Sequence, residues 1–287
     1  MKADLHIHST CSDGVLTPKQ IVETAARKKL IAFAITDHDT LSGIKEAKKY
    51  MKKNSPTVFV PGIELTCDEP GYGFIDIHLL GLFIDETAKP INQLVEKSKN
   101  QRTEQKKDII RKMNELGFGI TFEDAAKFAT GEIGRPHVAE ALKEKYPTEF
   151  RTTEEAFRKY LANNKPGYVK RKEGIRIKEA INAIRKSKGA AVLAHPGVYE
   201  DEYAKEIIKF FKAAGGQGIE TKYSYHSSHG IPKKESERKN RLFSRIAEEN
   251  GLLKSGGTDY HGGERKIGIG EEGITKKEFE ELKKLAK

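Results

Sequence analysis

The stretch "DLHIHSTCSDG", residues 4–14, sets two histidines, His6 and His8, two positions apart in an apolar run. On a β-strand, residues i and i+2 face the same side, so both imidazoles share one face. Such a pair is either a half-buried polar face or one wall of a metal site, since neutral imidazole is a common nitrogen ligand. The stretch alone leaves both readings open. What decides between them is where the other strands end and which side chains they carry there.

Apolar strand candidates run over residues 3–9, 31–37, 57–65, 74–84, 189–195, 216–223 and 252–259. Most are separated by segments of helical period. Thr17 precedes Pro18 and an apolar stripe of Ile21, Val22, Ala25 and Ala26, which predicts a capped first helix. Ile177, Ala180, Ile181 and Ile184 form another stripe, with Gly189 as the expected C-terminal cap. A helix over residues 236–250 is expected to stop at Gly251, and Thr275 with Glu278 forms a capping-box pattern before the last helix. Strand–helix alternation of this kind predicts a parallel α/β architecture. Seven strands suit a distorted barrel one unit short of the usual eight.

One region breaks the alternation. Residues 96–168 are charged and helical, beginning with the amphipathic run "VEKSKNQRTEQKKDIIRKMNELG" at 95–117. The expected domain plan is therefore a discontinuous barrel, 1–95 and 169–287, with a helical subdomain at 96–168 capping its open end.

The chain has 287 residues, 37% hydrophobic and 33% charged, with two cysteines, Cys11 and Cys67, read as free thiols. No apolar run approaches the ~20 residues of a membrane span, and the N-terminus carries no leader pattern, so a cytoplasmic protein is expected. Lys and Arg number 52 against 42 Asp and Glu, a net +10. That balance favours anionic partners such as nucleotides or nucleic acid, although much of the excess lies on ordinary charged helix faces.

The strand ends carry the remaining chemistry. "ITDHDTLSG" puts His38 after the second strand, and "GIELT" puts Glu64 at the end of the third. "DIHLLG" carries His78 in the fourth, "LAHPG" His195 after the fifth, and "SGGTDYHG" Asp259 and His261 after the seventh. In a parallel α/β fold these ends share one ligand-binding face. Asp13 joins them from the loop after His8. Any one of the nine has a structural explanation: a strand-end histidine is commonly just hydrogen-bonded, and Asp13 before Gly14 suits a turn. Invoked nine times on one face, that explanation weakens. Nine nitrogen and oxygen ligands without a thiolate fit two or three divalent ions, Mn²⁺ first, with Zn²⁺ or Fe²⁺ as alternatives. Such sites suit hydrolysis of phosphate esters by in-line attack of a metal-bridging hydroxide, with no protein nucleophile. Cys11 is read as a small loop residue.

These ordered motifs together resemble the PHP family (polymerase and histidinol phosphatase) over almost the whole chain. The resemblance implies a distorted (β/α)7 TIM-like barrel with a trinuclear centre. His6, His8, Glu64 and Asp259 would hold one ion. Glu64 would bridge to a second, completed by His78 and His195, and Asp13, His38 and His261 would hold the third. The chain is most similar to the stand-alone branch with a helical insertion, which includes 3′,5′-nucleoside bisphosphate phosphatases and enzymes that trim RNA from its 5′ end. "GRPHVA" at 134–139 resembles that branch's insertion motif. It implies that Arg135 grips a phosphate and that His137 either contacts substrate or holds the loop. Arg171 in "GYVKRK" would supply a second cation, although Lys170 stands where the family usually has proline. "GIETKYSYHSSH" puts His226 near the site as a proton donor, beside the acid–base candidate His261, and leaves His229 to solvent.

The expected function is a metal-dependent phosphoesterase acting on small phosphorylated nucleotides or RNA 5′ ends, with no membrane association and no obligate protein partner. Histidinol-phosphate phosphatase is the enzymatic alternative. A non-catalytic nucleotide- or RNA-binding protein is the alternative of another class.

Overall fold

The computed structural model describes residues 2–129, 133–162, 164–169, 174–263 and 266–286. The chain opens with β1 (Ala3–Asp4), α1 (Pro18–Arg27), β2 (Ala32–Ile35), α2 (Ser42–Lys48), β3 (Val58–Glu69) and β4 (Phe74–Leu82). Helices follow: α3 (Lys89–Glu115), α4 (Phe122–Ala126), α5 (Arg135–Lys145) and α6 (Thr153–Ala156), the last running into a π-helical turn over Phe157–Leu161. Alternation then resumes with α7 (Ile177–Lys186), β5 (Ala190–Leu193), α8 (Asp201–Ala213) and β6 (Gly218–Lys222). The chain closes with α9 (Tyr225–His229), α10 (Lys233–Asn250), β7 (Leu253–Gly256) and α11 (Lys276–Lys283). No described helix is long and apolar enough to cross a membrane.

The seven strands form one sheet in the order β1 to β7. Its two edges meet: Leu5 N donates to Gly256 O at 3.1 Å and His8 N to Tyr260 O at 2.9 Å, so the barrel is nearly closed. Side-chain alternation explains the core. Ala3 and Leu5, Ala32 and Ala34, Val60, Leu80 and Leu82, and Val192 share one buried cluster with Ile274, Phe279 and Leu282 at α11. The intervening residues Phe33 and Ile35, and Ile63, Leu65 and Leu79, pack outward against helices in two further clusters. Burial on both faces is why the strands read as continuous apolar runs.

The fully parallel expectation fails at one strand. β4 pairs antiparallel with both β3 and β5. The link from β3 to β4 is a single 3₁₀ turn over Pro70–Tyr72, with Gly73 left-handed at φ 74°. So short a link permits a hairpin and excludes a crossover helix. β3 also runs on to Glu69, past the expected end at 65, because the hairpin supplies a partner for those residues. β1, expected over 3–9, keeps regular pairing only at Ala3–Asp4, with an isolated bridge at Ile7. Beyond it the backbone turns to side chains: Ile7 N donates to Thr36 Oγ1 and Ser9 N to Asp37 Oδ1.

The capping boxes of α1 and α11 form at Thr17/Gln20 and Thr275/Glu278. α10 begins at Lys233, earlier than expected, and stops at left-handed Gly251. After α7 it is Lys188, at φ 61°, that takes the left-handed turn expected of Gly189. Gly189 is required for space instead, since a Cβ there would lie 2.5 Å from Ile84 Cγ2.

The chain divides into two compact units, Met1–Val95 with Ile175–Lys287, and Glu96–Gly174. The second unit has its own core, including Ile109, Met113, Phe118, Val138, Leu142, Phe150 and Leu161. Its far boundary lies beyond the expected 168, because Val169 packs on that core and its carbonyl accepts from Gln105 Nε2.

Candidate metal centre

The reversal of β4 is what brings His78 to the other ligands. In an antiparallel strand the N-terminal half lies beside the C-terminal halves of its parallel neighbours, and His78 sits opposite Thr66, just past Glu64 on β3. His38 bridges to Glu64 directly, with Asp39 N donating to Glu64 O at 2.8 Å. Asp39, His195 and Asp259 hold left-handed backbone at φ 52°, 27° and 48°. Three non-glycine residues in that region at one site mark strain that the surrounding structure must sustain.

Glu64 is the hub. Its Oε2 lies 3.4 Å from His6 Nε2 and 3.1 Å from both His8 Nε2 and His38 Nδ1. Its Oε1 lies 3.1 Å from His78 Nδ1 and from His195 Nε2. Asp259 Oδ1 faces His6 and His8 Nε2 at 3.3 and 3.2 Å and His261 Nδ1 at 3.3 Å. Asp13 Oδ1 lies 3.4 Å from His8 Nδ1 and 3.3 Å from His261 Nε2. Three overlapping sets have ligand atoms within 4.8 Å of one another: His6, His8, Glu64, Asp259; His38, Glu64, His78; and His8, Asp13, His38, His261. Eight of the nine expected ligands fall in these sets, and the ninth, His195, meets Glu64. His8 and His38 are each shared between two sets, their rings 4.6 Å apart.

The donor set fits divalent cations on its own geometry. His6 Nε2 and His8 Nε2 are 3.1 Å apart, two ring nitrogens turned toward one point. His38 Nδ1 and His78 Nδ1 are buried beside the Glu64 carboxylate yet make no hydrogen bond with it. Buried ring nitrogens that face a carboxylate without hydrogen bonding to it are wasted in a protein core and useful around an ion.

Electrostatics shows the same mutual dependence. Burial alone would push His6 and His8 down, but the surrounding carboxylates, Glu220 and Asp259 and Glu64 for His6 and Asp13 and Asp259 for His8, hold both well above the ordinary imidazole range. Burial is likewise outweighed at His78, which Glu64 and Asp76 raise to about 10. His38 goes the other way, down to about 3, because burial and the neighbouring His8 and His78 outweigh Glu64. Glu64 and Asp259 are held well below the carboxylate range against burial by these same imidazoles.

Several supporting residues went unassigned in the sequence. Glu220 Oε2 lies 3.1 Å from His6 Nδ1 and accepts from His195 N at 2.8 Å, fixing two ligands at once. Asp37 accepts from Ser9 N, Ser9 Oγ and Ser12 Oγ, each at 2.7 Å, and so shapes the loop bearing Asp13. Partners of this kind fix the tautomer and direction of ligand rings. The available signal was an acid inside an apolar strand run, "GIETK" and "AITD".

A cavity of about 390 Å³ opens onto the centre, lined by ligands together with Asp76, Val198, Tyr199 and His229. His229, expected at solvent, is exposed and also reaches the cavity wall. His226 is exposed, with Nδ1 2.8 Å from Ile231 O, and does not line the cavity, whereas His229 does. The Cys11 thiol is pushed up by burial, which argues against an activated nucleophile.

Arg135 and His137 belong to the second unit. The Arg135 guanidinium lies over the Phe157 and Tyr168 rings at 5.6 and 5.3 Å and donates to Leu161 O at 3.0 Å. His137 Nδ1 accepts from Gly134 N at 2.9 Å, so it holds the start of α5. Arg171 lies outside the described residues.

The family described as PHP domain matches residues 4–226. A 5′-3′ exoribonuclease of Haemophilus influenzae is 32% identical over 91% of this chain and 90% of its own. A 3′,5′-nucleoside bisphosphate phosphatase of Chromobacterium violaceum is 31% identical over 90% of this chain and 86% of its own. Among solved structures, a candidate metal-dependent phosphoesterase of Bifidobacterium adolescentis superposes with a TM-score of 0.77 at 26% identity, covering 99% of this chain and 96% of that one.

Proposed function

The chain belongs to the PHP domain family, and from that premise we propose that it is a metal-dependent phosphoesterase acting on phosphorylated nucleotides or on RNA 5′ ends. The carrying observation is the Glu64 carboxylate, which belongs to two of the ligand sets and turns one oxygen to His8 and His38 and the other to His78 and His195. Shared ligands keep neighbouring cations a few ångströms apart, the spacing that phosphoryl transfer uses. The comparisons with a bisphosphate phosphatase and an exoribonuclease favour nucleotide substrates over histidinol phosphate and over a non-catalytic binding role.

Divalent ions, Mn²⁺ foremost, would supply Lewis acidity there, lowering the pKa of a water and neutralising phosphate oxygens. His6, His8, Glu64 and Asp259 would hold one ion, Glu64, His78 and His195 a second, and Asp13, His38 and His261 a third. The protein's own work is to preorganise this set. Glu220 and Asp37 fix His6, His195 and the Asp13 loop before substrate arrives, so little reorganisation accompanies the reaction. His261, partly exposed on the cavity wall, would serve as acid–base group only where it does not hold the third ion. Arg135 remains the candidate phosphate grip of the second unit. Nucleotide and RNA substrates accord with the cytoplasmic setting expected from the sequence.

The test is phosphate release from 3′-phosphoadenosine 5′-phosphate beside trimming of a 5′-phosphorylated oligoribonucleotide, each with Mn²⁺ and with chelator. Metal-dependent turnover of either supports the reading and chooses between its two substrates. Turnover of neither, in protein shown to contain metal, overturns it.

A further inference from the structure

Tyr223, directly after β6, is fully buried, yet its hydroxyl is placed between two polar groups. It donates to Asp259 Oδ2 at 2.7 Å and lies 3.0 Å from His229 Nε2. The directions follow from the inventory of donors. A carboxylate only accepts and a phenol has one proton, so that proton goes to Asp259 and His229 donates Nε2–H to the phenol oxygen. The two oxygens of Asp259 thereby divide their work: Oδ2 is tied to Tyr223, while Oδ1 faces His6, His8 and His261. The Tyr223 ring also packs edge-on against His195, centroids 5.5 Å apart, and lies near-parallel to His229 at 5.9 Å. His229 itself lies on the cavity wall.

We propose that Tyr223 is a positioning residue for the metal centre, and that His229 positions Tyr223 in turn by fixing the direction of its hydroxyl proton. The chain His229–Tyr223–Asp259 turns Oδ1 toward the ions and connects the cavity wall to a buried ligand. A fully buried tyrosine that served packing alone would need only some acceptor. This one takes Oδ2 of a ligand carboxylate, and a second side chain orders its proton. Hydrogen-bond partners behind metal ligands typically carry a 10–100-fold share of metal affinity.

The inference rests on the metal-centre reading above, and the test separates the two. Mn²⁺ is titrated calorimetrically into metal-free full-length wild type, Tyr223→Phe, His229→Ala and His229→Gln, with circular dichroism as the check on folding. Tyr223→Phe keeps the ring and removes only the hydroxyl. The expected result is a Kd at one site about tenfold or more weaker in Tyr223→Phe. A smaller loss is expected in His229→Ala, with recovery in His229→Gln, whose amide can restore the donor. Wild-type affinity and stoichiometry in folded Tyr223→Phe overturns the proposal. Should that variant not fold, His229→Ala on the cavity wall decides: wild-type affinity there overturns the ordered chain. A wild type that binds no Mn²⁺ would instead overturn the metal-centre reading itself.

Discussion

Glu64 faces five imidazoles within 3.4 Å, and that crowding makes metal binding a proton exchange. In the metal-free protein the carboxylates hold His6, His8 and His78 above the ordinary imidazole range, His78 up to about 10 from an ordinary 6.5. A raised histidine contributes stability that is complete below the unfolded value and lost as pH rises through the folded one. For His78 that window runs from 6.5 to about 10. Metal requires neutral imidazole, so binding must release these protons and affinity must climb with pH across the same window. Titration of Mn²⁺ in two buffers of different ionisation enthalpy should give unequal heats, and equal heats would show that no proton leaves. A second residue-scale prediction concerns His226. Exposed and bonded to Ile231 O, it should tolerate Ala with less than about a twofold change in turnover, the scale of an ordinary surface substitution. A large loss in kcat would return it to the site.

At the scale of elements, closure of the barrel depends on a short strand with a buried acid. Asp4 accepts from Thr258 N at 2.9 Å, Thr258 Oγ1 at 2.8 Å and Gly270 N at 2.8 Å, joining β1 to the chain beyond β7. Asp4→Ala would strand these donors and should cost about 3 kcal/mol, read as a lower denaturation midpoint, while Asp4→Asn keeps an acceptor and should cost less. Equal midpoints for wild type and Ala would refute the role. Most elements were legible from local rules: α1 from Thr17 and Pro18, α10 from its stop at Gly251, and α11 from its capping box. The direction of β4 was not. An apolar run has the same pattern whichever way it enters a sheet, and only the short turn at Pro70–Tyr72 signals the hairpin.

For the whole molecule, the buried centre holds carboxylates and imidazoles whose charges compensate one another without metal, so the metal-free chain should fold. Mn²⁺ at a hundred times its Kd should add about 2.7 kcal/mol and raise the melting temperature by about 5–10 °C over chelated protein. Coincident melts in Mn²⁺ and in chelator would argue against a resident metal. The alternation of strands and helices, the helical interruption that follows residue 95 and the residue types expected at the strand ends are legible in the sequence alone, because periodicity and residue chemistry are local properties. The tertiary structure decided what depends on through-space direction. It reversed β4 and so carried His78 to Glu64. It set Glu220, Asp37 and Tyr223 behind the ligands, and it put His229 rather than His226 on the cavity wall. A side chain's chemistry is written at its own position, but the atoms it faces are supplied by residues far away in the chain.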